Sequence, residues 1–496
     1  MFVVLISIVV LCVCLYVHSF RSYRSWYELN IPYHKFNPRY PFCIERLYTI
    51  LKLAITSAEE RFKIINALCL QYSDMVKVWF GPQLVVFVNH PQRVQKVLRS
   101  PECTDKWDMF YRLIERENAL TFRTASAKWK EHRKFFNFSY SLPALESYMN
   151  TFADVGDEFC EILYKKKAGS VFNIQEIVKK ICFDMLCETS CDMKTKVMFD
   201  ESTYEDIINA FEITEEAFNH KAEFPFLYPD TIFKLTKIRR DEKKAQQILD
   251  EFRNHIMETR RSKMRENESI DSGNYALIDH LVRNEEKFTS KEILDHILNF
   301  IGAYEILGNT MSHMLLLIAM HPEVQERLYE SIQKSIKSDE DVRNSAIIKQ
   351  IELLDLVVKE ATRLMPGVPL VMRDVNNDFE IEPGLVIPKG VKLVVSFYAL
   401  HRHRDVWGND AEEFKPERFC EENASSRFLF SFLPFSGGIR ICVGNKYSNM
   451  ALKIITVQLL RKFKLRTTMK MDDFRLKSTI SLKMCTEHWV SVEARE

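Results

Sequence analysis

The chain opens on an unbroken apolar run and then changes character. Residues 2–17, FVVLISIVVLCVCLYV, are apolar apart from Ser7, and no Asp, Glu, Lys or Arg precedes Arg21. As a helix, Phe2–Phe20 spans roughly 28 Å at 1.5 Å per residue, close to the thickness of a bilayer's hydrocarbon core. A cleaved signal peptide would want a basic start and a small-residue cleavage site, and neither is present. The pattern predicts an uncleaved anchor over 1–20, with Arg21 and Arg24 placing the body of the chain in the cytosol. Pro32, Pro38 and Pro41 mark a hinge over 21–45.

Beyond the hinge the pattern is mostly helical. Val76–Phe80 and Leu84–Val88 flank Gly81-Pro82-Gln83 and read as a β-hairpin. From about 90 to 375 the apolar positions keep a helical period with few breakers. Thr289-Ser290-Lys291-Glu292 is a capping box, followed by a stripe of Ile293, Leu294, Ile297, Leu298, Ile301 and Tyr304. That stripe predicts one central helix running to His321-Pro322, about 30 residues. Short strands are predicted at Phe379–Ile381, Leu385–Ile387 and Val391–Phe397, and a further helix after Gly444. No internal repeat or low-complexity linker interrupts the body.

Composition narrows the class. Only 13 Gly and 16 Pro occur, so the chain is neither collagen-like nor turn-rich all-β. Lys+Arg is 69 against Asp+Glu 68, which gives no support to nucleic-acid binding. The 12 Cys form no C-x-x-C pair, which fits reduced thiols in a cytosol-facing domain. The glycines are unevenly placed, for none lies between Gly169 and Gly273, yet Gly437, Gly438 and Gly444 fall close together.

That cluster surrounds a single thiol. Phe435-Ser436-Gly437-Gly438-Ile439-Arg440-Ile441-Cys442-Val443-Gly444 puts Cys442 just before a helix. Glycines let backbone approach a flat ligand, and a helix N-terminus stabilises a thiolate. Arg440 can pair with an anionic group of the same ligand. Read from the residues alone, a buried inert Cys remains the alternative.

The window fits F-x-x-G-x-R-x-C-x-G and resembles the haem-binding segment of the cytochrome P-450 family. The resemblance implies that Cys442 is the axial thiolate on the iron of haem b, with Phe435, Gly438, Arg440 and Gly444 around the cofactor. Other segments agree in order. Glu360-Ala361-Thr362-Arg363 resembles the E-x-x-R pair, and Arg418 in Pro416-Glu417-Arg418-Phe419 would join it. Trp129 and Arg133 resemble the helix pair that reaches a haem propionate, and Arg373 the strand arginine that does the same. The match covers nearly all of the chain after the anchor. It implies a mainly α fold with small β-sheets and one haem-thiolate domain over 46–496. Phe183–Thr189 and Asp230–Thr236 are similar to segments of the family-4 clan, which includes insect enzymes; Cys187 there reads as a core thiol.

The central helix departs from this likeness. The acid expected over the haem is Glu305, but Ile306 stands where the family has its oxygen-activating Thr, and Ile cannot relay a proton. Gly302 replaces the Glu that can esterify haem in the clan. Thr310, one turn on, is a minor alternative source of the missing hydroxyl if Gly308 allows a helix distortion. Three readings are open: a monooxygenase using Glu305, water or a substrate hydroxyl; an isomerase or dehydratase of an oxygenated lipid; or a haem-binding protein with little turnover.

No nucleotide-binding signature is present, so the resemblance implies O2 as co-substrate and electrons from a membrane-bound NADPH-dependent flavoprotein reductase, with a haem electron carrier as a further partner. It also implies an endoplasmic reticulum membrane location with a cytosolic catalytic domain. Lys128, Lys130, His132, Lys134, Lys446, Lys453, Arg461 and Lys462 are a candidate docking face, or ordinary solvated residues. Phe224–Pro229 is an apolar run where the family meets the membrane, and the substrate is expected to be lipophilic. Tyr304, Ile306, Val368, Leu370 and Ile480 are pocket candidates by family position, with core packing as the alternative.

Overall fold

The computed structural model describes residues 29, 31, 56–107, 119–121 and 127–495, except 81–82, 168, 225–226, 228–229 and 266–275. The expected anchor lies outside these residues, as do the hinge except Leu29 and Ile31 and most of the 224–229 run. Among the described residues, no helix is long and apolar enough to cross a membrane. The fold is mainly helical with small sheets.

The chain divides into two compact units, each assembled from non-contiguous segments: residues 1–108, 369–412 and 427–441, and residues 109–368, 413–426 and 442–496. In the first unit, helix α1 (Ala58–Gln71) is capped by the Ser57 hydroxyl, which accepts from Glu60 N–H at 3.2 Å. Strands β1 (Met75–Phe80) and β2 (Gln83–Val88) pair antiparallel from Met75↔Val88 to Phe80↔Gln83, the hairpin the alternation predicts. Helix α2 (Pro91–Arg99) comes next, with Pro at its start and Val94, Val97 and Leu98 buried.

The other unit contains helices α3 (Ala127–Ser139), α4 (Met149–Tyr164), α5 (Ile174–Cys191), α6 (Glu201–Glu223) and α7 (Lys237–Arg265). The two-residue strand β3 (Phe172–Asn173) leads into α5, whose first turn Asn173 caps by accepting from Gln175 N–H. Helices α8 (Ser290–Ile301), α9 (Tyr304–Met320), α10 (Glu352–Leu364) and α11 (Asn445–Lys462) also belong to this unit. Gln175 on α5 donates to Asn309 on α9 at 2.8 Å.

Back in the first unit, β4 (Leu370–Asp374), the two-stranded β5 (Phe379–Glu382) and β6 (Leu385–Ile387), and β7 (Lys392–Ser396) complete the β structure. Their sheet order is β1-β2-β7-β4, with β2 and β7 parallel and β4 antiparallel to β7. The core here gathers Val86, Val88, Val94, Leu393, Val395 and Phe430, each worth about 1.5–3 kcal/mol when fully buried. Leu29 and Ile31 join it, and Lys77 Nζ donates to Leu29 O. In the second unit, β8 (Phe463–Arg466), the hairpin of β9 (Leu476–Ser478) and β10 (Leu482–Met484), and β11 (Trp489–Ala494) come after α11; β11 pairs with β3 and β8.

One expectation is corrected. The central helix is not continuous: α8 stops at Ile301 and α9 starts at Tyr304. The capping box is formed, with Thr289 N–H donating to Glu292 Oε2 at 3.0 Å and Glu292 N–H to Thr289 Oγ1 at 3.2 Å. The break comes at Gly302-Ala303. Ala303 N–H turns to Phe300 O at 3.2 Å, three residues back, and the four-residue pattern is found again where Leu307 N–H donates to Ala303 O at 3.0 Å. Glycine inside a helix lowers the cost of such an opening. The apolar stripe does not register it, because Ile301, Tyr304 and Leu307 stay buried on both sides.

Candidate functional site: the Cys442 loop and the α8–α9 break

The glycine-rich loop is shaped by backbone that few residues tolerate. Ser436 has φ 63° and Gly438 φ 68°. A Cβ on Gly438 would sit 1.9 Å from Leu98 O, so that position admits glycine alone. A short 3-10 turn, Gly438–Arg440, comes next. The Arg440 side chain is buried; its Nε donates to Thr104 O at 3.0 Å, and its Nη2 lies 3.8 Å from Asp105 Oδ1. Phe435 is half-buried. Arg373 on β4 is buried and donates to Met372 O at 2.8 Å.

Cys442 begins the last segment of the second unit and is exposed. Gly444 caps α11, and a Cβ there would lie 3.9 Å from Cys442 Sγ. The sulfur thus stands beside the N-terminus of an 18-residue helix, where the peptide dipoles favour negative charge. Arg133 on α3 is half-buried. Burial pulls its guanidinium pKa down, and a negative Cys442 opposes that shift. Trp129, on the same helix, is buried and donates its indole N–H to Leu120 O at 3.2 Å.

A thiol at a helix start, within the field of a guanidinium, suits a metal held through one thiolate and does not suit a multi-ligand cage. Among the described residues, no group of three His, Cys, Asp or Glu could hold an ion. The family model for cytochrome P450 matches residues 38–484. The chain belongs to the cytochrome P450 family. Similar curated proteins include cytochrome P450 4c21 of Blattella germanica, 27% identical over 86% of this chain and 87% of its own length. Probable cytochrome P450 313b1 of Drosophila melanogaster is 26% identical, with 89% and 91% covered. Human cytochrome P450 4V2 is 28% identical, with 86% and 83% covered. As a cytochrome P450 the chain is an oxidoreductase of the monooxygenase type, from a family that uses haem iron with a thiolate ligand.

The E-x-x-R pair of this cytochrome P450 is fully buried on α10. Arg363 Nε and Nη2 donate to Glu360 Oε2 and Oε1 at 2.7 and 2.8 Å. Two further bonds tie the pair to the segment bearing Arg418: Lys415 N–H donates to Glu360 Oε1 at 2.8 Å, and Arg363 Nη2 to Glu413 O at 3.1 Å. Arg418 Nε stands 3.4 Å from Glu360 Oε1. One carboxylate therefore collects a fork, a peptide N–H and a second guanidinium, which is the satisfied form of a buried charge.

Glu305 lies in the first turn of α9, immediately after the break, and is buried. Its Oε1 meets Lys483 Nζ at 2.8 Å, Lys179 Nζ at 3.0 Å and Asn309 Nδ2 at 3.2 Å. Burial pushes its carboxyl pKa up, but the two lysines outweigh burial and hold it below the usual value. Sequence reasoning missed both lysines, because they come from α5 and β10, far from Glu305 in the chain. Asn309, one turn along the same helix, was the only partner that spacing could reveal.

Ile306 is half-buried amid buried neighbours. Thr310 does not offer its hydroxyl in its place, for Oγ1 donates to Ile306 O at 2.7 Å. Both side chains face Gly367, where a Cβ would lie 2.7 Å from Thr310 Oγ1 and 3.0 Å from Ile306 Cγ2. Val368, next to Gly367, is half-buried, as is Ile480 at the tip of the β9–β10 hairpin. Tyr304 is packed edge-on against Phe183 and Phe211, 5.3 and 5.7 Å between ring centres. Leu370 belongs to the first unit, half-buried on β4.

His132 is not part of a basic face. It is buried, and its Nδ1 lies 3.1 Å from His296 Nε2, while His296 Nδ1 accepts from Leu120 N–H at 3.3 Å. Lys128, Lys453, Arg461 and Lys462 each hold a carboxylate, on Glu292, Asp355, Asp339 and Asp157. Lys130, Lys134 and Lys446 are exposed. Cys187 is fully buried, and burial pushes its thiol pKa well up, as befits a core residue. Thr189 binds the Tyr447 hydroxyl at 2.8 Å, tying α5 to the first turn of α11.

Proposed function

We propose that this cytochrome P450 inserts one atom of O2 into a lipophilic substrate, with NADPH-derived electrons supplied by a membrane-bound flavoprotein reductase. The observation that carries the reading is the placement of Cys442 Sγ at the start of α11 within the field of Arg133. Cys442 would hold haem b through its thiolate, and the bound haem supplies oxygen activation. The helix N-terminus and Arg133 present positive charge to the sulfur, which favours thiolate over thiol as a ligand. Arg133 also offers charge to a propionate, a role that family position alone gives to Arg373, Arg440 and Trp129. Glu360, Arg363 and Arg418 brace residues 413–418. The apolar run at 2–17 anchors the chain in the endoplasmic reticulum membrane, and the exposed Lys130, Lys134 and Lys446 form the reduced docking face for the reductase.

Proton supply sets the second reading. Ile306 excludes a relay at its position, the Thr310 hydroxyl is engaged with Ile306 O, and Glu305 is held as a carboxylate. An isomerase or dehydratase acting on an already oxygenated lipid would need none of them. Labelled O2 separates the two: a monooxygenase with reductase and NADPH carries the label into product. Product formed from a lipid peroxide without reductase would favour the second reading. Under the first, Ile306→Thr raises the fraction of NADPH electrons recovered in product, and unchanged coupling counts against this account of proton supply.

A further inference from the structure

Lys483 sits on β10 with a side chain mostly out of solvent, and it holds two acids from two different helices. Its Nζ lies 2.8 Å from Glu215 Oε2 on α6 and 2.8 Å from Glu305 Oε1 on α9. The tip of the same hairpin is fastened on either side of Ile480. Thr479 Oγ1 donates to Glu215 Oε1 at 2.9 Å, and Ser481 Oγ accepts from Asn309 Nδ2 at 3.1 Å. Neither family likeness nor local spacing points to this ammonium.

We propose that Lys483 is a positioning residue that fixes the 476–484 hairpin against α6 and α9 and, through that placement, decides whether Glu305 can take up a proton. The inference rests on the monooxygenase reading for its catalytic meaning, since only there does a proton carrier beside Ile306 matter.

The surroundings of Glu305 make the coupling specific. Lys179 faces it from α5 and Lys483 from the hairpin, while Asn309 and the neighbouring Tyr304 belong to its own helix. Glu212 and Glu215 of α6 stand behind the lysines, at 3.3 Å from Lys179 and 2.8 Å from Lys483. His488 lies within the field of Lys179, and burial keeps it neutral. Three carboxylates thus share two ammonium groups. Among the described residues, the polar contacts of Glu305 fall on Oε1, and Oε2 is buried without a hydrogen-bond partner. A proton can therefore settle on Oε2 while Oε1 keeps Lys179 and Asn309. What prevents it is the second cation. An opposite charge at this range lowers a carboxyl pKa, so withdrawing Lys483 raises that of Glu305. Motion of the hairpin, whose tip presents Ile480, is then linked to protonation of Glu305.

The test is infrared spectroscopy of the ferric holoenzyme without substrate or reductase, following the carbonyl band of protonated carboxyl groups as pH falls from neutral. In wild type the band that belongs to Glu305, identified as the one Glu305→Gln removes, should be absent near neutral pH. In Lys483→Met that band should appear at a higher pH than in wild type as the pH falls. Adding Glu305→Gln should remove it, adding Glu215→Gln should leave it, and Lys483→Arg should behave as wild type. Should Lys483→Met not fold, Lys483→Gln carries the same expectation. A band that appears at the wild-type pH in the neutral variant, or its survival in the Glu305→Gln double variant, overturns the proposal. Failure of the monooxygenase assay leaves this readout untouched, and loss of the band leaves the monooxygenase reading standing.

Discussion

Arg363→Met removes a fully buried guanidinium and strands its partner. Glu360 loses two bonds, at 2.7 and 2.8 Å, and keeps Lys415 N–H at 2.8 Å and Arg418 Nε at 3.4 Å. Glu413 O loses its donor at 3.1 Å. Breaking a buried pair from one side costs about 3–5 kcal/mol, because the remaining charge is left in a low-dielectric interior. An exposed ion pair four residues apart on a helix surface is in general worth only about 0.3–0.5 kcal/mol. The tenfold contrast makes burial the deciding term. A native domain holds only about 5–15 kcal/mol in total, so the single variant removes roughly a fifth of it or more. Glu360→Leu with Arg363→Met removes both charges, and the double variant should be less destabilised than the two single costs added, by about 1–3 kcal/mol. Urea unfolding of the four haem-loaded proteins of the cycle, followed by tryptophan fluorescence, measures both quantities. Amide exchange over residues 413–418 should quicken in Arg363→Met. A single-variant cost below about 1 kcal/mol, or strict additivity, would refute the reasoning.

Two further outcomes are expected from particular groups. Gly438→Ala meets Leu98 O at 1.9 Å and holds Ala at φ 68°, so the thermal midpoint should fall by the equivalent of at least about 1–2 kcal/mol; an unchanged midpoint contradicts the close approach. Burial lowers the pKa of His488 to about 3, from an ordinary value of about 6.5. The unfolded chain binds the proton first, so the stability contributed by neutral His488 is complete above about pH 6.5. It is lost as pH falls toward 3, by up to about 1.4 kcal/mol per pH unit. His313, its ring neighbour, shifts the same way. Urea midpoints at neutral and mildly acid pH should differ in wild type and differ less in His488→Phe.

The parts of this molecule that were legible in the sequence are those set by neighbours in the chain. The β1–β2 hairpin arises from apolar alternation on either side of the Gly-Pro pair in the sequence, the Thr289–Glu292 box from its own four residues, and the Glu360–Arg363 fork from i,i+3 spacing on one helix. The Cys442 loop is legible for the same reason, since its glycines, arginine and thiol lie in a single stretch. What spacing hid was decided by distant partners. Lys179 and Lys483 converge on Glu305 only after α5, α9 and the hairpin pack. His132 looks basic in sequence, yet His296 and the Phe288 ring surround it, so it belongs to the interior. The interruption at Gly302-Ala303 leaves the apolar stripe intact, so periodicity could not report it. The C-terminal strands β8–β11 are three to six residues long and drew no prediction. The two units are woven from separate segments, a division that a scan for linkers does not detect.

The central claim is that Cys442 is the thiolate ligand of haem iron. The direct measurement is the absorption spectrum of the reduced carbon monoxide complex, recorded for wild type and for Cys442→Ala reconstituted with haem. The account predicts a thiolate-type spectrum in wild type and its complete loss in Cys442→Ala. A normal thiolate-type spectrum in Cys442→Ala would contradict it.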